Sequence, residues 1–440
     1  MADMSPLTKF IRTYHKPKIT KLLLCKKPRL VCIILYLLFF IAGISMPEIC
    51  MAGNPVEGSR AAGMATAFVA IADDPSAMAH NPAGLALLRG NQVYGGVTAV
   101  NLSSQYQSPS GATEDTQNQI FFPPHLYVTS DFNREAMTFG VGIYSPFGIG
   151  GRKWSEQGLT RYASTESATG TLCVNPTIAF KAGSNLAVGA GIFYLGEQST
   201  GEKMLNQTAL GAADGKMSVK GQGGGWGFNL GVILFPGQTV SLGLAYRSAV
   251  RIEESSTVTI ENIAPALRPF FGGAKFETDA DTVLHLPQVV NFGIAWRPTK
   301  SLTLSVEAEW TGWSSFDRMD VHLRQAVPAA GLTSSTVALN WKDVWIMKIG
   351  AEYQMTENLA LRAGYAYVQS PVPESSLDPG NPDSDQNDIF FGVGYKMKEI
   401  TIDAVYSLVF YKNRSVQNSI LSGEYESFNQ ALGLSIGYRF

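Results

Sequence analysis

Apolar and polar residues alternate along much of the chain, with the period of two that is typical of β-strands. In the segment 302–311, Leu, Leu, Val, Ala and Trp alternate with Thr, Ser, Glu, Glu and Thr. The same alternation is found at 240–246, 290–296, 400–410 and 431–440. Several of these segments are about 9 to 11 residues long, the length that a tilted strand needs to cross a bilayer. The pattern therefore predicts an all-β chain with strands of membrane-spanning length.

Short and long connections alternate strictly between the predicted strands. The six short connections lie at 132–135, 183–185, 236–238, 298–300, 356–358 and around Lys398. The seven long, polar connections lie at 104–122, 148–169, 197–216, 254–280, 314–340, 370–386 and 412–424. Outer-membrane barrels combine short periplasmic turns with long external loops and an even strand number, whereas a soluble sandwich has no reason for such regularity. Thirteen connections of this kind predict a barrel of fourteen strands.

Residues 1–52 have the composition of a leader. They contain eight Lys and Arg residues against two acidic ones, and the uncharged run 30–46 follows the basic region. This order, with a cleavage region around residues 50–52, is typical of a secretory signal peptide. An uncleaved anchor, a start codon further downstream and a lipoprotein attached through Cys50 are the alternatives.

Residues 53–90 interrupt the strand pattern. They are rich in Ala, with a helix-start signal at 73–76 and an Asn-Pro turn at 81–82. So short a segment with little apolar bulk does not fold alone, but the lumen of a fourteen-stranded barrel is wide enough to hold it. We therefore predict a signal peptide over 1–52, an N-terminal hatch over 53–90 and a barrel over 91–440. The expected fold class is an all-β, 14-stranded antiparallel transmembrane β-barrel plugged by an N-terminal helical hatch.

Composition and motifs exclude several other functions. Only 16% of residues are charged and the net charge is −2, which argues against a nucleic-acid partner. The five histidines lack metal-ligand spacing, no serine-nucleophile motif accompanies them, and the glycine run Gly221–Gly227 lacks the Lys-Ser/Thr of a phosphate loop. We expect no enzyme activity, no cofactor and no metal.

Sequence motifs along the chain resemble one family. The segment ADDPSAMAHNPAGLA at 72–86 resembles the hatch of the FadL/TodX family of outer-membrane transporters for long-chain fatty acids and other hydrophobic compounds. Further matches, in family order, lie at Gly225–Leu234, Ala245–Ile252, Leu286–Trp296, Thr311–Asp317, Trp341–Tyr353 and Arg362–Tyr395. The resemblance spans essentially all of the predicted mature chain.

The resemblance implies a fold and a transport route. It implies a fourteen-stranded barrel with a hatch, passive transport without nucleotide, capture at external loops, and lateral release where the third strand is kinked. Such a dry route has a physical reason, since exposing roughly sixteen methylenes to water would cost on the order of 13 kcal/mol at about 0.8 kcal/mol each.

Candidate residues can be assigned to each stage of this route. The hatch element is Asn81, Pro82, Ala83 and Gly84, and the proline-glycine interruption at Ser145, Pro146, Phe147 and Gly148 is the candidate lateral opening. The candidate ligand-binding residues are Lys342, Phe270, Phe271, Leu267, Met204 and Leu205. The resemblance makes Lys342 the preferred carboxylate-contacting cation, and Lys203 is a possible second one, although Glu197 and Glu202 crowd it.

The expected partners are hydrophobic small molecules, namely fatty acids or hydrocarbons, together with the lipid and lipopolysaccharide of the outer membrane. The terminal Phe440, after an alternating strand, resembles the signal that the barrel assembly machinery recognises. An aromatic hydrocarbon channel of the same fold and a non-specific porin or structural barrel remain alternative functions. An apolar pocket lining would favour a transporter, and a polar, charged lumen would favour a porin.

Overall fold

The computed structural model describes residues 57–327 and 332–440, so the predicted signal peptide over 1–52 lies outside the described residues. Among the described residues, no helix is both long and apolar enough to cross a membrane. The helices are α1 (Ser59–Ala62), α2 (Ala77–His80) and α3 (Arg268–Phe271), with 3-10 helices at Pro82–Leu87, Thr208–Leu210, Trp313–Ser315 and Glu374–Ser376.

The rest of the described chain is dominated by β-strands. They are β1 (Asn91–Gln107), β2 (Thr113–Asp115), β3 (Ile120–Phe121), β4 (Pro124–Ser130), β5 (Met137–Tyr144), β6 (Ile149–Lys153), β7 (Glu166–Ala182), β8 (Leu186–Leu205), β9 (Gly215–Leu234), β10 (Val240–Arg247), β11 (Val250–Glu261), β12 (Phe276–Leu286), β13 (Val289–Trp296), β14 (Leu302–Thr311), β15 (Arg318–Val327), β16 (Leu332–Ala338), β17 (Val344–Gln354), β18 (Leu359–Val368), β19 (Gln386–Met397), β20 (Ile400–Tyr411), β21 (Arg414–Val416) and β22 (Gly423–Arg439).

These strands form one closed antiparallel barrel with fourteen walls. Several walls consist of two or more consecutive strands separated by a bend, as β5 and β6 do in the third wall. The barrel closes because the first wall, β1, pairs with the last, β22, from Gln92 opposite Arg439 to Gln107 opposite Glu424. The predicted fold class, an all-β 14-stranded antiparallel barrel, is confirmed.

Side chains alternate between a lipid-facing surface and the lumen, as the strand period requires. On β14, Val306 is 57% exposed, whereas Glu307 is 3% exposed and lies inside. An outward apolar band of this kind is the surface that a bilayer requires of a barrel.

Several of the predicted external connections were too long. About half of the segment 254–280 is strand, because β11 continues to Glu261 and β12 begins at Phe276, which leaves 262–275 as the connection. On this part of β11 the outward residues are polar, as Glu253 and Thr257 illustrate, while inward positions mix Ser256 with Val258. Because the alternation of apolar and polar residues is lost in this part of β11, its sequence looks like that of a polar loop.

One external connection differs from the expectation in another way. Residues 369–385, which we call the mouth loop, fold inward, and every residue from 376 to 384 is buried. The Trp154 indole donates a hydrogen bond to the Pro379 carbonyl at 2.8 Å, and Asn418 Nδ2 donates to the Leu377 carbonyl at 2.8 Å. The mouth loop therefore packs on neighbouring loops and walls instead of projecting into solvent.

Candidate functional site

The N-terminal segment 57–90 packs against bare backbone inside the barrel. Asn81 is completely buried, its side chain accepts a hydrogen bond from the Ala83 amide at 3.1 Å, and it donates to the Val69 and Val232 carbonyls at 2.8 and 3.1 Å. A Cβ on Gly231 of β9 would collide with the Asn81 side chain. The Asn-Pro-Ala-Gly element thus holds the segment together and fits against a wall position that has no side chain.

Charged groups also fix this segment to the wall. Arg60 donates to both carboxylate oxygens of Glu352 at 3.1 Å, and Arg362 joins Glu352 at 2.6 Å to Asp403 at 2.7 Å. On another wall, the Glu307 carboxylate accepts hydrogen bonds from two backbone amides of the segment, at Phe68 and Val69. These charge-assisted bonds supply attachment points on several walls.

The third wall is interrupted between β5 and β6. Residues Ser145–Gly148 form a turn in which the Gly148 amide donates to the Ser145 carbonyl at 3.0 Å, and Gly148 has a φ of 76°, a conformation that favours glycine. Tyr144 pairs with Cys173 of β7 and Ile149 pairs with Gly170, so four residues face two. The ladder between β4 and β5 ends at Leu126 and Ile143.

This interruption lies at the depth of the apolar band. Exposed apolar side chains continue beside it, including Phe122 in the second wall and Leu172 and Val174 on β7, which are 62%, 42% and 45% exposed. The missing backbone pairing therefore faces the part of the surface that a lipid environment would cover.

An aromatic cluster lines the lumen directly behind the interruption. Phe147 points inward and its ring lies 6.4 Å from that of Trp313, while Trp341 lies 5.0 Å from both Trp313 and Phe316, measured between centroids. All four rings are buried. We call this group the aromatic chamber. A cavity of about 30 Å³ beside it is bounded by Phe147, Trp313, Glu309, Thr311 and aliphatic residues of β13, β17 and β18.

A cation borders the same cavity. The Arg247 guanidinium lies 5.1 Å from the Phe147 ring centroid, a cation–π distance. Its nearest carboxylate is that of Glu57, at 3.8 Å, and its Nε has no hydrogen-bond acceptor among the described residues. By contrast, Lys348 nearby is fully engaged by Glu307 and Glu309 at 3.1 and 2.6 Å. Arg247 is thus a half-buried cation whose Nε has spare hydrogen-bonding capacity.

The predicted capture residues lie in neighbouring external segments. Leu267 and Phe271 are buried, Phe270 is half-buried, and the Phe271 ring contacts Phe276 at 5.6 Å. On β8, Leu205 is buried and Met204 is half-buried.

A glutamine joins the two external segments that carry these residues. The Gln207 side chain accepts a hydrogen bond from the Ala264 amide at 2.6 Å and donates to the Asn262 carbonyl at 2.8 Å. Gln207 therefore links the segment that carries Met204 and Leu205 to the loop that carries Leu267, Phe270 and Phe271, at the external end of the barrel.

The predicted cation Lys342 is exposed at the rim. Its amide donates to the Pro371 carbonyl of the mouth loop at 3.0 Å, and the preceding Trp341 belongs to the aromatic chamber. The second candidate, Lys203, is buried and faces Asp378 of the mouth loop. Neither lysine lines the cavity at Phe147.

Two buried carboxyls of the mouth loop are electrostatically unfavourable. Burial outweighs their hydrogen bonds and raises the pKa of Asp378 to about 6 and that of Asp383 to about 6. The Asp378 carboxylate accepts hydrogen bonds from the Gly380 and Asn381 amides at 2.6 and 3.2 Å. The packing of the loop is therefore sensitive to protonation.

Sequence reasoning missed Arg247 and the aromatic chamber as a site. Trp313 and Phe316 lie three residues apart in the segment Thr311–Asp317, and this pair of aromatic residues could have indicated a binding site. Their convergence with Trp341 and Phe147 depends on walls that are distant in sequence, and no local pattern encodes it.

Comparisons with known proteins agree with this architecture. A family model described as outer membrane protein transport protein (OMPP1/FadL/TodX) matches residues 49–440. A long-chain fatty acid transport protein of Escherichia coli O6:H1 is 22% identical over 365 residues, which cover 75% of this chain and 79% of the relative.

Solved structures share the same fold. The chain superposes on a Pseudomonas aeruginosa FadL homologue with a TM-score of 0.78 at 21% identity, over 88% of this chain and 99% of the other. The P. putida toluene transporter TodX gives a TM-score of 0.69 at 18% identity, over 88% of this chain and 99% of the other.

Proposed function

The chain belongs to the OMPP1/FadL/TodX family of outer membrane transport proteins, and from this premise we propose that it carries amphipathic fatty acids passively through the aromatic chamber and out sideways at the break in the third wall. Family and fold make it a multi-pass protein of the bacterial outer membrane whose relatives are transporters or channels. We propose no enzymatic step.

The observation that carries this proposal is the position of the aromatic chamber. Phe147 belongs both to the turn that interrupts the wall and to the buried ring cluster, so one residue joins the apolar interior to the lateral break. A cargo moving from the chamber to the bilayer would pass this side chain and would not have to cross the hatch or an aqueous lumen.

The carboxylate of the cargo is assigned to Arg247. An arginine can bind a carboxylate through two parallel hydrogen bonds, and Arg247 has a free Nε beside the cavity. Lys342, exposed at the rim beside the mouth loop, suits the first contact with an anionic cargo at the external capture stage. In this scheme the two cations act in succession.

External capture is assigned to the apolar segments that Gln207 joins. Phe270 and Met204 present part of their surface, whereas Leu267, Phe271 and Leu205 are packed. Entry of a long acyl chain therefore requires this external packing to open.

An aromatic hydrocarbon is the second candidate cargo. The aromatic chamber consists of four buried rings, and ring–ring contacts with them would bind a neutral monoaromatic molecule without any use of Arg247. A non-specific porin would require an open lumen, while here the hatch and the mouth loop pack inside the barrel.

Ligand binding distinguishes these cargoes. Purified barrel would be titrated with oleate by displacement of a fluorescent fatty acid, and with toluene by calorimetry, in wild type, Arg247→Gln and Lys342→Ala. Loss of a charge-assisted bond of about 1.5–3 kcal/mol predicts that Arg247→Gln weakens oleate binding by about tenfold to a hundredfold. Toluene binding should not change.

Oleyl alcohol is the matched ligand control, because it has the same chain without the carboxylate. Its affinity should be equal in wild type and Arg247→Gln. Toluene binding without oleate binding would favour the hydrocarbon channel, and binding of neither cargo by folded barrel would contradict both forms of the proposal.

Assembly and surroundings belong to the same proposal. Phe440 is 61% exposed, its ring stacks on Tyr438 at 5.7 Å, and its amide donates to the Asn91 carbonyl at 2.9 Å. An exposed aromatic terminus on the last wall supports recognition by the barrel assembly machinery, and the outward apolar band supports contact with outer-membrane lipid and lipopolysaccharide.

A further inference from the structure

A polar cavity lies at the external rim of the barrel, on the same side as the break in the third wall, and the proposed transport route does not use it. Its volume is about 310 Å³, which is at the lower end of the range of roughly 300–1,000 Å³ for small-molecule sites. Lys153, Glu166 and Glu202 line it from the external ends of β6, β7 and β8, where the strand register places them side by side. Its other lining residues are Gln117, Trp154, Ser155, Glu156, Gln157 and Thr165.

The cavity faces away from the lumen and lies beyond the apolar band. The residues that adjoin its three charged wall residues, namely Arg152, Ser167 and Lys203, are buried inside the barrel, so the alternation of strand faces points the charged ones outward. From Leu172, an exposed apolar residue of β7, to Glu166 the strand runs about 20 Å at roughly 3.3 Å per residue. At this level a barrel is surrounded by polar head groups and sugars instead of acyl chains.

Hydrogen bonds hold the rim of the cavity in a fixed shape. The Glu114 carboxylate accepts bonds from the Ser155 and Thr160 amides at 3.1 and 2.9 Å. The Gln117 amide donates to the Lys153 carbonyl at 2.7 Å. These bonds tie two external connections to each other and to the end of β6. The cavity is therefore formed before a ligand binds, which lowers the entropic cost of binding.

The charges around the cavity are matched within the protein. Lys153 Nζ lies 2.7 Å from the Glu166 carboxylate. Lys216 Nζ lies 2.8 Å from Glu156 and 2.7 Å from Glu202. An anionic ligand would meet three carboxylates, and among the residues that the structure describes no three His, Cys, Asp or Glu side chains are placed to hold a metal ion. The lining therefore favours a ligand without net charge.

These ion pairs leave hydrogen-bonding capacity unused. A carboxylate offers about four acceptor positions and an ammonium group three donors, and the ion pairs occupy only part of this capacity. The hydroxyl of Thr165, another lining residue, is buried and has no hydrogen-bond partner in the described part of the chain. Acceptors and donors thus lie next to each other around the cavity. A hydroxyl group suits such a lining, because it donates and accepts at once.

We propose that this cavity binds an uncharged hexose unit of a saccharide, whose hydroxyls donate to the three glutamates and accept from Lys153 and Gln117. A hexose carries adjacent hydroxyls on a small ring, whereas an acyl chain would leave the polar groups of the lining unsatisfied. The sugars of surrounding lipopolysaccharide and free oligosaccharides share this chemistry. The site lies on the outside of the barrel and is independent of the cargo in the aromatic chamber.

Saturation-transfer NMR tests the site. Folded barrel, in a detergent without sugar groups, would be mixed with dephosphorylated core oligosaccharide released from lipopolysaccharide by mild acid, and separately with maltotriose. Wild type should transfer saturation to at least one of them, and Glu166→Gln should weaken that binding by about tenfold, the effect of one charge-assisted hydrogen bond. Glu277→Gln is the matched control, because Glu277 forms a similar pair with Lys275 at 2.9 Å on the exposed surface. It should bind like wild type.

A variant that fills the cavity gives a second readout. Gln157 is exposed, and Gln157→Trp leaves the ion pairs in place but should abolish saturation transfer, while the heat-induced gel shift verifies that the barrel is folded. Binding of the core oligosaccharide alone would identify lipopolysaccharide as the source of the hexose, and binding of maltotriose would identify free saccharides.

Two results would overturn the proposal, namely binding of neither saccharide by folded wild type and equal binding by wild type and Gln157→Trp. Oleate binding should be the same in wild type and in all three variants. Failure of the saccharide site is therefore distinguishable from failure of the proposed transport function.

Discussion

At the scale of single residues, glycines in the barrel wall determine where the segment 57–90, the predicted hatch, can pack. Gly231 leaves space for Asn81, and a Cβ on Gly189 of β8 would collide with the backbone of Pro82. Gly84 likewise approaches the Ala72 backbone with no room for a side chain. The polar contacts of Asn81 are therefore possible only because the opposing wall is bare.

Gly231→Ala should loosen the hatch. The added methyl group meets Asn81 and Pro82, and overpacking of this kind costs about 1–3 kcal/mol. We expect residues 57–90 to become more accessible to protease in the folded barrel, measured by mass spectrometry. Gly196→Ala is the control, since the nearest atom to its Cβ is 3.8 Å away; equal protection in the two variants would contradict the prediction.

At the scale of elements, the third wall is interrupted because it has more residues at this point than the neighbouring strand β7. Between Tyr144 and Ile149 the wall has two residues more than β7 has between Cys173 and Gly170. Two extra residues preserve the alternation of faces on either side. The wall can therefore bulge without disturbing the inward and outward residues of β5 and β6.

Deletion of Pro146 and Phe147 should close this break. Ser145 and Gly148 would then face two residues of β7 in continuous register, so uptake of labelled oleate by cells lacking another transporter should fall sharply. A length-preserving control, Pro146→Ala, should retain most uptake. Unchanged uptake by the deletion variant, assembled to wild-type level, would exclude this break as the exit.

The mouth loop is a second element for which the structure predicts a measurable property, namely a stability that depends on pH. Because burial raises the pKa of Asp378 and Asp383 to about 6, the packed loop binds protons more tightly than the open loop. Its stability is therefore greatest at low pH and is lost as the pH rises through about 6. Lys203 and Arg414, which face these carboxyls, moderate the effect without cancelling it.

Hydrogen exchange measures this dependence. After correction for intrinsic rates, amides of the mouth loop should exchange more slowly at pH 5 than at pH 7.5, and Asp378→Asn should reduce the difference. Asp279→Asn, at an exposed carboxyl on β12, should leave it unchanged. Faster exchange at pH 5 in wild type would refute the assignment.

At the scale of the whole molecule, the barrel was predictable and the chamber was not. The side-chain polarity of residues such as Val306 and Glu307 indicates which face of the wall each lies on, because the outward face contacts lipid and requires an apolar side chain. Above the membrane both faces are partly polar, so the ends of β11 and β12 could not be located from sequence. In the sequence Arg247 resembles any other inward polar residue, and only the folded barrel places it beside Phe147, which lies four walls away.

The packing of chain at both ends of the barrel has a consequence for the cell. A cylinder of this width left empty would conduct ions and admit polar antibiotics. The segment 57–90 packs inside the lumen, the mouth loop folds inward at the external end, and the break in the third wall faces the surface that a bilayer would cover. If cargo leaves through this break, as we propose, apolar molecules would gain an entry route while the outer membrane keeps its electrical resistance and its impermeability to polar drugs.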